Sequence, residues 1–513
     1  MLVRRYPVAA ATALAALTVS ALGWRGRDLP AQLLRISVFR NGDWFWNPQW
    51  FGGHPTLGYS VLLPALGAVL GVTIVGVLVT AGAVAAFESL VRHRPRAMLA
   101  TSVFAFGMLS NLVVGRLSFG LGAAFALAAL ATHSRGRALP IVFAVAASLS
   151  SPVVAVFLAI AFAAWAYTTC QYRNGMVLIS AALAPAVVTS VLFGTGGTYP
   201  YPFTTFLWSF GLCALTALAT EDKAIRIGCA MFGAIAFAAF ALPTPLGSNV
   251  IRMPLLLAAP LVLLADPART RRIVVAAAVP IAGFLQTAQI AEVAAASTVD
   301  PSTDRAYYVP LIEYLQRQDA PIRVEIPPTK QHWETAYVAE LVPIARGWER
   351  QIDRGVNPEF YDPAQPLTPA RYRAWLQRTG VTHVALSDAL PDPWALAETG
   401  LVEDGQPYLH EVWHDAHWRV FEVDGASLVD GPARLSDLSD TRAVVDVTGP
   451  GEVVVRVRES PYWVVTSGDA CMVAGTDGWL HLHVAHPGPV TLDIRMEIAS
   501  VVPGNDDRLC PGD

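Results

Sequence analysis

The sequence predicts a polytopic α-helical membrane protein of about eleven transmembrane helices, followed by a C-terminal extracytoplasmic region built from an α/β part and a β-sandwich. Three observations predict it. Of 513 residues, 54% are hydrophobic and 15% charged, with a mean hydropathy of +0.43, which is too apolar for one soluble domain. In the first three-fifths, nearly uncharged windows of about 17–22 residues recur, as spanning helices require. From about Ser297 that pattern stops, and "STVDPSTDRAYYVP" begins a text that mixes charge, Pro, Trp and alternating Val. The expected division is therefore a membrane domain over 1–296, an α/β domain over 297–425 and a β-sandwich over 426–513. A net charge of −4, only two lysines (Lys223 and Lys330) and the lack of zinc-finger spacing exclude a nucleic-acid partner.

The candidate spans are 7–24, 72–91, 97–114, 117–132, 138–150, 152–170, 176–194, 202–220, 228–243, 252–265 and 273–295. Arg4 and Arg5 precede the first. Placing them in the cytoplasm also makes "RHRPR" (92–96), "SRGR" (134–137), Arg173, "EDKAIR" (221–226) and "ARTRR" (268–272) cytoplasmic, in keeping with the positive-inside bias. This register needs 138–170 to be two passes broken at Ser150, Ser151 and Pro152. A single long, kinked helix is the other reading of that stretch. The N-terminus is then cytoplasmic and the C-terminal region extracytoplasmic. The segment 60–70 is too short to span beside its neighbour and reads as a partial or re-entrant helix. The first span also has features of a secretory signal, but ten further spans already anchor the chain.

The first outer loop, 25–59, carries the most chemistry. Asp28 follows the first span, and "DLPAQLLRISVF" spaces its apolar residues as a short interfacial helix would. An acid at a membrane edge beside arginines is either a functional group or half of an interfacial salt bridge. The stretch "GDWFWNPQWFGGHPTLGY" then combines Trp44, Trp46 and Trp50 with Pro48, Pro55, Gly52 and Gly53. Tryptophans of an interfacial belt need no fixed backbone, whereas these prolines and glycines suit a segment that holds one shape. Indole faces beside Asn47, His54 and Asp43 would make a wall for a sugar. A lone loop histidine such as His54 is more often a packing residue. Arg116, in the turn "VVGRLS", and Arg252, at the start of "RMPLLLAAP", stand at the same face; each either binds a lipid phosphate or snorkels to ordinary headgroups.

The Asp after the first helix, the interfacial helix, and "W-N-P-x-W-x-G-G-x-P" with Tyr59 and Pro64 downstream resemble the first outer loop of GT-C-fold membrane glycosyltransferases. The arrangement particularly resembles that of bacterial membrane proteins with a 6-pyruvoyl-tetrahydropterin synthase-related domain, a label that need imply no pterin chemistry. The likeness extends more weakly to "GRLSFGLGAAFAL", "SLSSPVVAVFLAIA" and "GSNVIRMPLLLAAPLVLL", and so covers most of 1–295. It implies an acid in this loop that acts as base or metal ligand and a polyprenyl-phosphate sugar as donor; the expected acceptor is a glycan or glycolipid of the cell envelope, at the outer face of a bacterial plasma membrane. Asp28 matches the acid by position. Many members carry two adjacent acids, whereas Arg27 and Leu29 flank Asp28 here; Asp43 is the candidate second carboxylate, and a divalent metal ion the candidate cofactor.

In the C-terminal region "YYVPLIEYLQRQ" and "TPARYRAWLQRTG" read as helices, and "IRVEIP" and "VTHVALS" as strands. The polar stretch around His332 and Glu334 is either an acceptor contact or an amphipathic helix with an ordered loop. Beyond 426, "RAVVDVTG", "GEVVVRVRES", "WVVTSG", "WLHLHVA" and "VTLDIRMEIA" alternate apolar and polar residues as sandwich strands do. Cys471 and Cys510 are candidates for a disulfide in an oxidising compartment. No phosphate-binding loop, dinucleotide fingerprint or nucleophile elbow occurs. The leading expectation is a membrane glycosyltransferase; a transporter or flippase and a noncatalytic assembly protein on the same fold remain open.

Overall fold

The computed structural model describes residues 5–23, 25–42, 46–55, 57–194, 197–265, 272–495 and 509–510. The chain forms two units: 1–32 with 57–299, and 33–56 with 300–513. Residues 33–56, which a linear reading assigns to the membrane domain, thus count with the C-terminal region.

The first unit is helical. Among the described residues, eight helices are long and apolar enough to cross a membrane, and three of the expected spans are shorter apolar helices, Pro7–Ala21, Ala138–Ser150 and Phe203–Ala219. The stretch 138–170 is not one continuous helix. It breaks at Ser151, whose extended backbone (φ −160°, ψ 113°) follows from Pro152, which disfavours a helical residue before it and then starts Pro152–Thr169 at its first position. The partial helix over 60–70 is observed as Leu62–Leu70, separated from Val72–Val91 by Gly71 at φ +82°.

Packing within this unit uses small residues, because apolar side chains gain nothing from leaving a lipid environment and close backbone approach must supply the contact. A Cβ on Gly120 would meet Val79 at 3.0 Å, and one on Gly175 would meet Ala166 at 2.3 Å. Phe87 and Phe104 stack at 4.4 Å in an otherwise alanine-rich core. Val187, Val188, Val191 and Leu192 of Tyr172–Phe193 are exposed, the surface expected of a helix bathed in hydrocarbon.

The second unit holds a four-stranded mixed sheet and a two-sheet sandwich. In the mixed sheet Val324–Glu325 runs parallel to His383–Ser387, which is antiparallel to Trp418–Val423, itself paired with Leu409–His414. The helix Pro369–Arg378 has proline at its start and Thr368 capping the Arg371 amide, and it buries Tyr372, Trp375 and Leu376. The sandwich sheets are ordered Ala470–Val473, Trp479–Val484, Gly451–Arg458, Val429–Asp430 and Trp463–Ser467, Gly488–Ile494, Arg442–Val447, Ala433–Leu438. Alternate residues such as Val453, Val455, Leu480, Leu482 and Leu492 fill the space between them. Cys471 and Cys510 are joined by a disulfide.

Candidate active site

In the first unit, Asp28 sits where the chain turns from the first helix into Leu29–Arg40. Two glycines permit that turn to press against the corner between Ala97–Val114 and Leu117–Thr132. A Cβ on Gly26 would lie 2.3 Å from the Val113 and Val114 carbonyl oxygens, and one on Gly115, at φ +90°, would lie 2.5 Å from the Leu29 amide nitrogen. The Asp28 amide then donates to the Val114 carbonyl at 3.0 Å. Arg116, the residue after Gly115, is thereby brought beside it.

Arg116 Nε donates to Asp28 Oδ2 at 2.9 Å, and a guanidinium nitrogen of Arg252 lies 4.0 Å from the same oxygen. Oδ1 receives no hydrogen bond among the described residues. The three side chains are 20%, 15% and 17% exposed, so the cluster is partly buried yet reachable. Burial pushes the Asp28 carboxyl up, but Arg116, Arg252 and Arg27 outweigh it and hold the group below its ordinary range. Arg116 is fixed from its other side by Gln289, whose Oε1 accepts from NH1 at 2.8 Å. Arg27 is paired with Glu292 at 3.1 Å. Sequence reasoning missed Gln289; the only signal was polar residues at three-residue spacing in "LQTAQIAEV", inside an otherwise apolar span.

The aromatic loop, expected to wall a sugar, is packed into the second unit. Trp46–Asn47 pairs antiparallel with His54–Pro55, and between them Trp50, Phe51, Gly52 and Gly53 all take positive φ (49°, 72°, 68° and 70°). This left-handed run is strained at the two non-glycine residues, roughly 1–3 kcal/mol each, and burial of both side chains in the second unit opposes the strain. Trp50 is fully buried, its N–H donating to Asp353 Oδ1 at 2.9 Å. Phe51 packs edge-on against Trp479, Trp46 lies 4.8 Å from Tyr462, and the buried Asn47 accepts from the Gln49 amide. His54 is buried too: loss of solvent, then the charge of Arg458, pushes it down to about 3, so it is neutral at physiological pH. Trp46, Asn47, Trp50 and His54 are thus buried in the structure. Tyr59, in the helical unit, accepts from Gln32 at 3.3 Å. Asp43 and Trp44 lie outside the described residues.

His332 and Glu334 form a closed network in the second unit. The His332 ring, on a backbone of φ +59°, stacks on Trp348 at 3.6 Å; its Nε2 meets Asp392 at 3.2 Å and its Nδ1 meets Glu334 at 3.5 Å. Glu334 also accepts from Thr329, and Asp392 from Arg350 at 2.7 Å. Burial lowers the histidine, but the two carboxylates more than reverse this and hold it above its ordinary value. Both ring nitrogens of His332 are thus engaged by carboxylates within the second unit.

A divalent metal does not suit the Asp28 cluster. One carboxylate among three guanidinium groups repels a cation, and no group of three metal-binding side chains occurs among the described residues. Two apolar cavities lie elsewhere in the helical unit. One of about 520 Å³ is bounded by Ala166, Tyr167, Tyr172 and Met231, and one of about 350 Å³ by Leu207, Trp208, Leu215 and Ile281.

No protein-family model and no curated protein matches the chain, so the narrower likeness to proteins with a 6-pyruvoyl-tetrahydropterin synthase-related domain has no support there. Among solved structures, the chain is similar to ArnT from Cupriavidus metallidurans in two states. Against the apo state the identity is 12% and the TM-score 0.48, covering 81% of this chain and 98% of ArnT. Against ArnT bound to undecaprenyl phosphate they are 12% and 0.45, covering 83% and 98%. At that distance the likeness carries no argument about the chemistry of this chain, which rests on its own residues.

Proposed function

We propose that the protein is a membrane glycosyltransferase that moves a sugar from a polyprenyl-phosphate donor to a hydroxyl of an envelope glycan or glycolipid at the outer face of the plasma membrane. The observation that carries this reading is the Asp28 cluster: a partly exposed carboxylate with one oxygen anchored by Arg116 and the other without a hydrogen bond among the described residues, beside a second arginine at 4.0 Å. The reaction needs both charges. The acceptor oxygen attacks the anomeric carbon as its proton passes to Asp28 Oδ1. The bond from that carbon to the phosphate oxygen breaks, and the electron pair leaves with the phosphate. Arg116 and Arg252 neutralise that leaving group through planar donor arrays suited to phosphate oxygens. A phosphate drawn to these arginines would also weaken their hold on Asp28, making it a stronger base when donor is present. The resemblance of the first loop to that of GT-C transferases supports the same assignment.

The test is transfer by the full chain in proteoliposomes supplied with polyprenyl-phosphate sugars and envelope glycolipid acceptors. Wild type should form product, and Asp28→Asn should lose about 10²–10⁴-fold in rate with unchanged protein level and thermal midpoint. Product formation undiminished in Asp28→Asn would sink the proposed base. Movement of lipid-linked sugar across the bilayer with no transfer would instead identify a flippase.

A further inference from the structure

The helix Arg272–Val299 places three polar side chains at three-residue intervals, Gln286, Gln289 and Glu292, so that they share one face. Gln286 is buried and donates to the Leu255 carbonyl at 2.7 Å, in space that Gly107 leaves open: a Cβ there would lie 2.9 Å from its amide nitrogen. Glu292 pairs with Arg27 at 3.1 Å, and Gln289 accepts from Arg116 at 2.8 Å. Two neighbouring cations are therefore held by acceptors of different charge. Arg27 has a carboxylate. Among the described residues, Arg116 has, besides Asp28, only the neutral amide of Gln289 as a side-chain hydrogen-bond partner.

The difference matters for an anion. Asp28, Arg116 and Arg252 together carry two positive charges and one negative, while Arg27 is balanced by Glu292. A carboxylate at 289 would hold the guanidinium in the same place with nearly the same shape and cancel the surplus positive charge.

We propose that Gln289 is a positioning residue of the transfer site, which orients the Arg116 guanidinium through a neutral acceptor so that its charge stays available to the phosphate of the lipid donor. This rests on the function proposed above and adds a residue to it. Gln289 acts through Arg116 and need not touch the sugar.

The test uses the full chain in nanodiscs containing a polyprenyl monophosphate, with the uncharged polyprenol as control probe. It compares wild type, Gln289→Glu and Gln289→Ala for binding and for the KM of a polyprenyl-phosphate sugar. Gln289→Glu should weaken binding of the monophosphate and raise KM at least tenfold, leaving polyprenol binding and the thermal midpoint as in wild type. Gln289→Ala, which loosens Arg116 without cancelling its charge, should have a smaller effect on KM and lower kcat. Equal phosphate binding in wild type and Gln289→Glu, or an equal loss of both probes in Gln289→Glu and Gln289→Ala, would overturn the role of Gln289 while leaving the transferase reading intact. Failure of the wild type itself to bind the monophosphate or transfer sugar would remove the reading on which this one stands.

Discussion

Asp28 and His332 show how differently two titratable residues are treated by their surroundings. Around Asp28 three arginines keep the carboxylate ionised although it is partly buried. In the second unit, two carboxylates hold a buried histidine above its ordinary pKa, and the histidine with Arg350 holds Asp392 down to about 2 against the opposing effect of burial. The signs fix a pH window. Since the His332 pKa is raised, its contribution to stability is full below the ordinary 6.5 and is lost as pH rises through the folded value; that of Asp392 is full above 3.8 and lost as pH falls through about 2. The shift at Asp392 is worth about 2 kcal/mol. The thermal midpoint of the second unit should therefore fall as pH is raised above about 6.5, and His332→Gln should flatten that limb while lowering stability at pH 6. A midpoint in His332→Gln that keeps the wild-type alkaline slope would assign the slope to other groups.

At the scale of elements, glycines and a tryptophan decide where the loops go. Gly115 ends one helix in a left-handed turn and lets the Asp28 turn reach the corner; alanine there is both strained by φ +90° and blocked by the Leu29 backbone. Gly115→Ala should shift Asp28 away from Arg116 and reduce transfer more than tenfold, with a smaller loss of overall stability, which parallel activity and melting measurements would reveal. Trp50 is the corresponding anchor of the aromatic hairpin. Its removal leaves a cavity and strands Asp353 without one of its donors, so Trp50→Ala should cost about 3–5 kcal/mol, measured as loss of denaturant midpoint in the second unit. If Trp50→Ala instead lowered only the affinity for an acceptor sugar, the hairpin would regain the binding role expected from its composition.

At the scale of the whole molecule, each unit is held by its own kind of interior. The helical unit relies on close approach through Ala and Gly, with buried Ser, Thr and Gln side chains bonded to backbone groups and the charged cluster set around Asp28. The second unit buries Arg346 among Glu325, Glu398 and Asp353, with its guanidinium 3.7 Å from the Phe360 ring centre. Three carboxylates exceed what one cation can neutralise, and burial pushes the Glu325 carboxyl well above its ordinary value despite the guanidinium. Arg346→Met should destabilise this unit by about 3–5 kcal/mol, since it strands buried acids, and adding Glu325→Gln should recover part of the loss. A neutral effect of Arg346→Met in denaturant titration would contradict the pairing. By itself the sequence determined the local features: apolar spans, the break before Pro152, the capped helix after Thr368, the alternating sandwich strands and the chemistry available at Asp28, Arg116 and Arg252. Each is written within a few consecutive residues, through periodicity, proline or capping, and needs no distant partner. Only the tertiary structure decided that the Trp-rich segment is an interior hairpin of the second unit, that His332 is closed off by Asp392, and that Gln289 holds Arg116. Those outcomes depend on pairings across tens to hundreds of residues, and a side chain's composition states what it can bind but not which group will reach it first.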